Sequence, residues 1–171
     1  MKCISLWQPW ASAVAIGSKR IETRSWSTKY RGPLLIHAAK RCHRGELREL
    51  ERINFWRGAM ASLLGAAEHM HSDEWLPFGA LVAIADLVDC RPTSQFDPSE
   101  LRAARRPSWS TSNYYDWCEA DLGDFSAGRF GWVLENVRCI SPSIPYRGFQ
   151  QLFEVSESLL IDHAVLTGAT A

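Results

Sequence analysis

Short apolar runs bounded by turn residues recur along the chain, and each of them predicts a strand. The runs cover residues 3–6, 34–38, 80–88, 130–137, 138–140 and 152–155, with Pro142 and Pro145 marking a loop near the end. Strands and helices do not alternate regularly, as a doubly wound parallel sheet would require. We therefore expect an α+β fold, a small mixed β-barrel with helices around its mouth.

Helices are predicted where apolar residues recur at spacings of three or four. The pattern indicates helices over residues 9–16, 44–68, 98–104 and 158–166. Pro9 suits the first turn of a helix, where a backbone N–H has no helical acceptor in any case. Gly17 supplies a C-terminal stop.

The chain contains no linker long enough to separate two domains, so we predict a single domain over residues 1–171. Two segments extend it: a helical insertion near residues 41–77 and an irregular excursion near residues 91–128. A long irregular segment inside a compact domain is usually functional or mobile, and on the functional interpretation the excursion is a candidate surface for a protein partner.

The formal charge is balanced, with 19 basic and 19 acidic residues, so any attraction to phosphate must come from a local patch. Arginine accounts for 15 of the basic residues, and its planar guanidinium both pairs with phosphates and stacks on bases. A GC-rich genome would produce the same excess. The eight tryptophans suit either a core or a stacking surface.

Five widely spaced cysteines without a C-x-x-C motif indicate reduced thiols in a cytoplasmic protein. No run approaches the roughly 20 apolar residues that span a membrane, so no membrane partner is expected. The candidate metal ligands match no standard zinc spacing, and neither a metal nor another cofactor is expected. These candidates are His37, Cys42, His43, His69 and His71.

Four residues just past the first predicted helix concentrate charge in a short segment. Gly17, Lys19, Glu22 and Arg24 form the pattern G-x-K-x-x-E-x-R. Glu22 can pair with Lys19 or Arg24 and hold both cations for an anionic ligand, while its carboxylate accepts from a base amine. The alternative is an ordinary surface ion-pair cluster, worth about 0–1 kcal/mol.

Aromatic and polar residues flank this pattern. Trp7 and Trp10 offer stacking surfaces and Gln8 an amide that can read a base edge, although both tryptophans could instead fill the core. Lys40 and Arg147 stand at strand ends and are expected to line the same cleft, unless they are merely solvated there. Arg44, Arg48 and Arg52 form one stripe on the second predicted helix, but interleaved glutamates favour a solvated, salt-bridged face.

Several ordered segments together resemble the ASCH domain family of the PUA-like superfamily. They are residues 5–10 (S-L-W-Q-P-W), the G-x-K-x-x-E-x-R element, and residues 31–40, 130–137 and 146–153. The start resembles the version in eukaryotic transcription coactivators, and the whole also resembles bacterial stand-alone ASCH proteins. Arg147 departs from the lysine that the family often has there.

The resemblance implies a β-barrel whose cleft binds RNA, DNA or a modified nucleoside. We expect a nucleic-acid- or nucleotide-binding domain, RNA favoured, with a cationic cleft between the 9–16 helix and the barrel. Its ligand-binding residues would be Trp7, Gln8, Trp10, Lys19, Glu22, Arg24, Lys40 and Arg147.

Some relatives imply catalysis instead. One alternative is an N4-acetylcytidine amidohydrolase, whose catalytic residues here would be Lys19, Glu22 and Thr23. The family nucleophile is a threonine three places after the lysine, where this chain has Glu22. Another is a metal-assisted ribonuclease using Lys19, Lys40 and Tyr114 or Tyr115. A protein-interaction adaptor is the remaining alternative.

Overall fold

The computed structural model describes residues 1–40, 76–102 and 118–163. The elements are β1 (Lys2–Leu6), α1 (Trp10–Ala15), β2 (Ile21–Arg24), β3 (Gly32–Ala38), β4 (Ala80–Pro92), a 3-10 turn (Thr93–Gln95), α2 (Pro98–Arg102), α3 (Glu119–Leu122), β5 (Phe130–Pro145), β6 (Leu152–Glu154) and α4 (Glu157–Asp162). The predicted 44–68 helix and the ends of the predicted 98–104 and 158–166 helices lie outside the described residues.

Six strands form one mixed sheet in the order β2-β5-β4-β3-β1-β6. β1 and β3 run parallel, and every other neighbouring pair is antiparallel. The sheet curves into a half-barrel, accompanied in the described residues by four short helices, which confirms the prediction of an α+β fold. In the described residues β2 and β6 are the two edges of the sheet, so the barrel is open between them.

Side-chain alternation in β1 shows how the sheet is buried on both faces. Ile4 and Leu6 belong to the cluster that also contains Val14 of α1, whereas Cys3 belongs to the opposite cluster with Leu160 of α4. A six-residue helix such as α1 is not stable in isolation, so its stability comes from this packing.

β5 corrects the prediction of two strand pieces followed by a loop. It runs without a break from Phe130 to Pro145, and Asn136 adopts a left-handed φ of 49° where the pairing register with β4 shifts. Asparagine tolerates this conformation at a bulge. β2 pairs only with residues 130–133, so the second half of β5 has one described neighbour, and proline is tolerated on such an edge.

β4 and β2 also differ from the prediction. β4 continues to Pro92 instead of ending at residue 88, because its polar end pairs with the beginning of β5. The predicted 91–128 excursion therefore starts inside a strand. β2 was missed because it has only four residues, although buried Ile21 and Thr23 alternate with partly exposed Glu22 and Arg24.

The edge strand β2 is held from its other side by α3. The buried carboxylate of Glu119 accepts hydrogen bonds from the backbone N–H groups of Arg20 (2.7 Å) and Ile21 (3.1 Å). In return, the Lys19 ammonium donates to the carbonyl of Leu122 at 2.8 Å. The two segments are 98 or more residues apart in sequence, so this clasp is a purely tertiary contact.

The loop between β5 and β6 is tied to β1 and β3 through His37. Its Nε2 lies 3.0 Å from the Tyr146 carbonyl oxygen, and its Nδ1 lies 3.0 Å from the Ser5 hydroxyl. A carbonyl can only accept, so Nε2 carries the proton and Nδ1 accepts from Ser5. Burial lowers the pKa of His37, which keeps the ring neutral in the folded protein.

Replacing Glu119 with alanine is expected to lower the free energy of unfolding by about 2–4 kcal/mol, since one buried and one part-buried N–H group lose a charged acceptor. Urea denaturation measures the change. The matched control is Glu135→Ala, an exposed carboxylate on β5, which should shift stability by no more than about 0.5 kcal/mol. Equal losses in the two variants would contradict the clasp.

Acid should weaken the protein through His37. The folded pKa lies below the unfolded value of about 6.5, so only the unfolded state takes up this proton just below that pH. The free energy of unfolding should therefore fall from pH 7 to pH 5 by at most about 1.4 kcal/mol per pH unit. We expect His37→Gln to flatten this slope. The control is His163→Gln, which alters an exposed histidine after α4 and should leave the slope unchanged. An unchanged slope in His37→Gln would refute this origin.

Candidate functional site

A cleft of about 580 Å³ opens beside α1, between the end of β1, the strand β2 and the α3 segment. We call it the β2 cleft. Its lining includes Ser5, Leu6, Trp7, Trp10, Lys19, Glu22, Thr23, Arg24, Ser25, Trp26, Asp121, Leu122, Gly123, Asp124 and Arg129. The structure thus brings together five of the eight predicted ligand-binding residues: Trp7, Trp10, Lys19, Glu22 and Arg24.

Lys19 lies beneath the cleft, because only 1% of its surface is exposed. Its ammonium donates to the carbonyls of Ile21 (2.6 Å) and Leu122 (2.8 Å), and it lies 3.5 Å from a Glu22 carboxylate oxygen. These three partners match the three donors of an ammonium. Lys19 therefore supplies positive charge under the site and fixes its walls, but it has no donor left for a ligand.

Glu22 joins the two cations, as its position in the sequence suggested. One oxygen faces Lys19, and the other lies 3.0 Å from Nε of Arg24. Arg24 in turn donates from Nη2 to the Ser5 carbonyl at 2.6 Å. Its Nη1 makes no hydrogen bond to the described residues, and about a quarter of the side chain is exposed. Arg24 is consequently the cation of the motif that can reach a ligand.

Three tryptophans surround these charges. Trp7 is 52% exposed, Trp10 is half-buried, and both line the cleft. Trp26 lines it as well and packs edge-on against the buried Trp132, with ring centroids 4.6 Å apart. Sequence reasoning missed Trp26, although its place two residues after the G-x-K-x-x-E-x-R element was a usable signal.

The Gln8 side chain is turned into the protein and is 1% exposed. Its Oε1 accepts from the Ser12 backbone N–H (3.1 Å), and its Nε2 donates to the Ser12 hydroxyl (2.9 Å) and the Pro77 carbonyl (2.8 Å). Every hydrogen-bonding group needed to read a base edge is already engaged. Gln8 instead satisfies an N–H group in the first turn of α1.

Thr23 also lines the β2 cleft, but its side chain leaves β2 on the face opposite to those of Glu22 and Arg24. Residues 21–24 pair with β5 in regular register, so alternation places the Thr23 side chain with that of Ile21. Its hydroxyl oxygen accepts from the Asp124 N–H at 3.0 Å. The pairing of residues 21–24 with β5 contains no bulge that would turn Thr23 towards Glu22.

The described lining of the β2 cleft carries equal numbers of cations and carboxylates. It therefore differs from the cationic cleft that the sequence predicted. Lys19, Arg24 and Arg129 contribute three cations, and Glu22, Asp121 and Asp124 contribute three carboxylates. Hydrogen bonds from Ser126 lower the pKa of Asp124, which keeps that carboxylate charged. The two aspartates come from the α3 segment, whose position beside β2 could not be read from the chain.

Lys40 and Arg147 line a separate groove of about 910 Å³. We call it the β5–β6 groove, because the loop between those strands forms one wall. Its lining includes Ser5, His37, Ala39, Lys40, Phe78, Gly79, Tyr146, Arg147, Gly148, Phe149 and Gln150. The predicted single cleft is therefore two concavities, and Ser5 of β1 lines both.

Other sequence candidates lie outside the described residues: Arg44, Arg48, Arg52, Tyr114, Tyr115, Cys42, His43, His69 and His71. Over residues 1–40, 76–102 and 118–163, no group of three potential metal ligands comes together. Within those same ranges no helix has the length and apolar character to cross a bilayer.

Comparison with known proteins gives both sequence and structural matches. The family model described as the ASCH domain matches residues 4–140. The chain is 39% identical over 95 residues to activating signal cointegrator 1 of Homo sapiens and of Mus musculus, a match that covers 55% of this chain and 15% of each relative. The crystal structure of ASCH from Zymomonas mobilis superposes with a TM-score of 0.50 at 14% identity, covering 96% of this chain and 94% of that one.

The matched region carries the G-x-K-x-x-E-x-R element, the whole of β2, β3 and β4, and most of β1 and β5. The structural match shares little sequence, so it bears on the fold alone. The family model spans most of the chain, and the half-barrel has the corresponding architecture. This protein belongs to the ASCH domain family and has its PUA-like α+β fold.

Proposed function

We propose that this protein binds single-stranded nucleic acid, RNA in preference to DNA, through the β2 cleft. The observation that carries the proposal is the half-exposed Trp7 on the same cleft as the partly exposed Glu22–Arg24 pair. An exposed aromatic surface beside a guanidinium and a carboxylate suits a base that stacks and is also hydrogen-bonded at its edge.

The charge balance of the cleft favours a base over an isolated phosphate. Glu22 can accept from an exocyclic amine, and Nη1 of Arg24 can donate to a ring nitrogen or carbonyl. Lys19 remains buried under the pair and offsets the carboxylate charge. The mixture of donors and acceptors also suits a ribose 2′-hydroxyl, which does both and is absent from DNA.

The G-x-K-x-x-E-x-R element is pre-organised for this role. Glu22 and Arg24 stand on a strand whose far edge is fixed by Glu119, and Arg24 is anchored on the Ser5 carbonyl. Side chains already held in place lose little conformational freedom on binding. A cytoplasmic location is part of the proposal, and the free thiols of Cys3, Cys90, Cys118 and Cys139 support it.

A fluorescein-labelled RNA octamer of random sequence, followed by anisotropy, tests the cleft. Trp7→Ala should weaken binding about tenfold through lost stacking. Arg24→Gln should weaken it and reduce the slope of log affinity against log salt by about 0.7, if Arg24 also neutralises one phosphate. The matched controls are Ile161→Ala and Arg138→Gln, exposed side chains outside the cleft lining. Wild-type affinity in both cleft variants would refute the site.

Hydrolysis of N4-acetylcytidine is expected to be absent. Glu22 stands where the amidohydrolase relatives have their nucleophile, and the Thr23 hydroxyl, although Thr23 lines the cleft, accepts from the Asp124 N–H. A hydroxyl nucleophile needs a base within about 2.6–3.2 Å, and no such pair is formed by Lys19, Glu22 and Thr23. Release of cytidine from the purified protein is the measurement. Turnover that Thr23→Ala abolishes while the fold persists would make the protein an amidohydrolase.

A further inference from the structure

The β5–β6 groove combines two cations with exposed aromatic surface. Its described lining contains Lys40 and Arg147 but neither aspartate nor glutamate. Both cations are exposed, and neither pairs with a carboxylate in the described part of the chain. The charge-balanced β2 cleft lies on the other side of Ser5, so the two concavities differ sharply in electrostatic character.

Phe149 provides a stacking surface beside these cations. It is 50% exposed, and its ring packs edge-on against Phe153 with centroids 5.4 Å apart. The Arg147 guanidinium lies 5.5 Å from the Phe149 ring centroid. Four large hydrophobic side chains of the described chain are exposed, and the two aromatic ones, Trp7 and Phe149, each line a concavity that contains an arginine.

The loop that carries Arg147 and Phe149 is fixed in place before any ligand binds. His37 bonds to the Tyr146 carbonyl, and the Tyr146 N–H donates to the Gly79 carbonyl at 2.8 Å. Gly148 lies directly on the His37 ring and the Ser5 hydroxyl, where a Cβ would collide with both. The groove walls therefore need little ordering on binding.

Ser5 connects the two concavities. It lines both, its carbonyl accepts from Arg24 of the β2 cleft, and its hydroxyl donates to His37 under the β5–β6 groove. Proteins that bind single strands combine a cationic groove for the backbone with aromatic platforms for successive bases. A strand that leaves the cleft past Ser5 meets this combination at once.

We propose that the β5–β6 groove binds the phosphodiester backbone and one stacked base of the strand whose neighbouring base occupies the β2 cleft. Lys40 and Arg147 would contact phosphates, and Phe149 would stack on the base. The ligand is then an oligonucleotide spanning both concavities and not an isolated nucleoside. This inference rests on the proposed function of the β2 cleft.

The test uses a double variant of the full chain, Lys40→Gln with Arg147→Gln, against the same RNA octamer. The two lost phosphate contacts should weaken binding at least tenfold and reduce the salt slope by about 1.4. Phe149→Ala should weaken binding with the slope unchanged, because stacking releases no counterions. Binding of the four mononucleotides, followed by quenching of tryptophan fluorescence, should stay at the wild-type level in both variants.

The matched control is Lys29→Gln with Arg138→Gln, which removes the same charge from exposed positions outside both linings. Octamer binding that falls equally in this control would show a general charge effect and overturn the inference. Wild-type octamer affinity and slope in the groove variants, with Trp7→Ala still defective, would overturn it and leave the cleft intact. Loss in the groove variants with Trp7→Ala and Arg24→Gln unaffected would refute the cleft and leave the groove as the site. A wild-type protein that binds no octamer would refute both.

Discussion

The buried ammonium of Lys19 is the constraint around which the site is arranged. A charge taken out of water is very costly unless it is paired and hydrogen-bonded, so Lys19 needs acceptors on every donor. These acceptors are the Ile21 carbonyl and the Glu22 carboxylate of β2 and the Leu122 carbonyl at the end of α3. Because one partner lies 103 residues away in sequence, satisfying this charge also determines where α3 packs.

The same constraint shapes the chemistry of the β2 cleft. Glu22 faces Lys19 with one oxygen and Arg24 with the other, and the Arg24 side chain stays partly exposed. The α3 segment that covers Lys19 brings Asp121 and Asp124 to the wall. Among the described residues, a site built over a buried cation thus has balanced charge, which suits base edges more than bare phosphate.

In the proposed binding mode, the two concavities recognise different parts of the nucleic acid. The β2 cleft offers hydrogen-bonding pairs and Trp7, whereas the β5–β6 groove offers Phe149 and two cations that pair with no carboxylate of the described residues. Both are backed by groups that are buried and hydrogen-bonded, Lys19 in one case and His37 in the other. Rigid walls of this kind favour binding because little ordering remains to be done.

Local pattern was sufficient for the fold class, most strands, the first helix and the charged element, since apolar periodicity and special residues such as Gly17 act over a few neighbours. It was insufficient for β2, which is too short to recognise, and for β5, which continues through Pro142 and Pro145 where the sequence indicated a loop. From short-range spacing, Lys19 and Gln8 were also predicted to contact the ligand, whereas the side chains of both are buried.

The sequence by itself determined that this chain is an α+β ASCH domain with its charges concentrated after the first helix, because those features reside in contiguous residues. Only the tertiary structure decided which charges reach solvent. Glu119, Asp121 and Asp124 meet the motif across about a hundred residues, and Lys40 and Arg147 come together beyond Ser5 in a second groove. Such contacts depend on how distant segments pack to satisfy buried polar groups, and no local pattern records that.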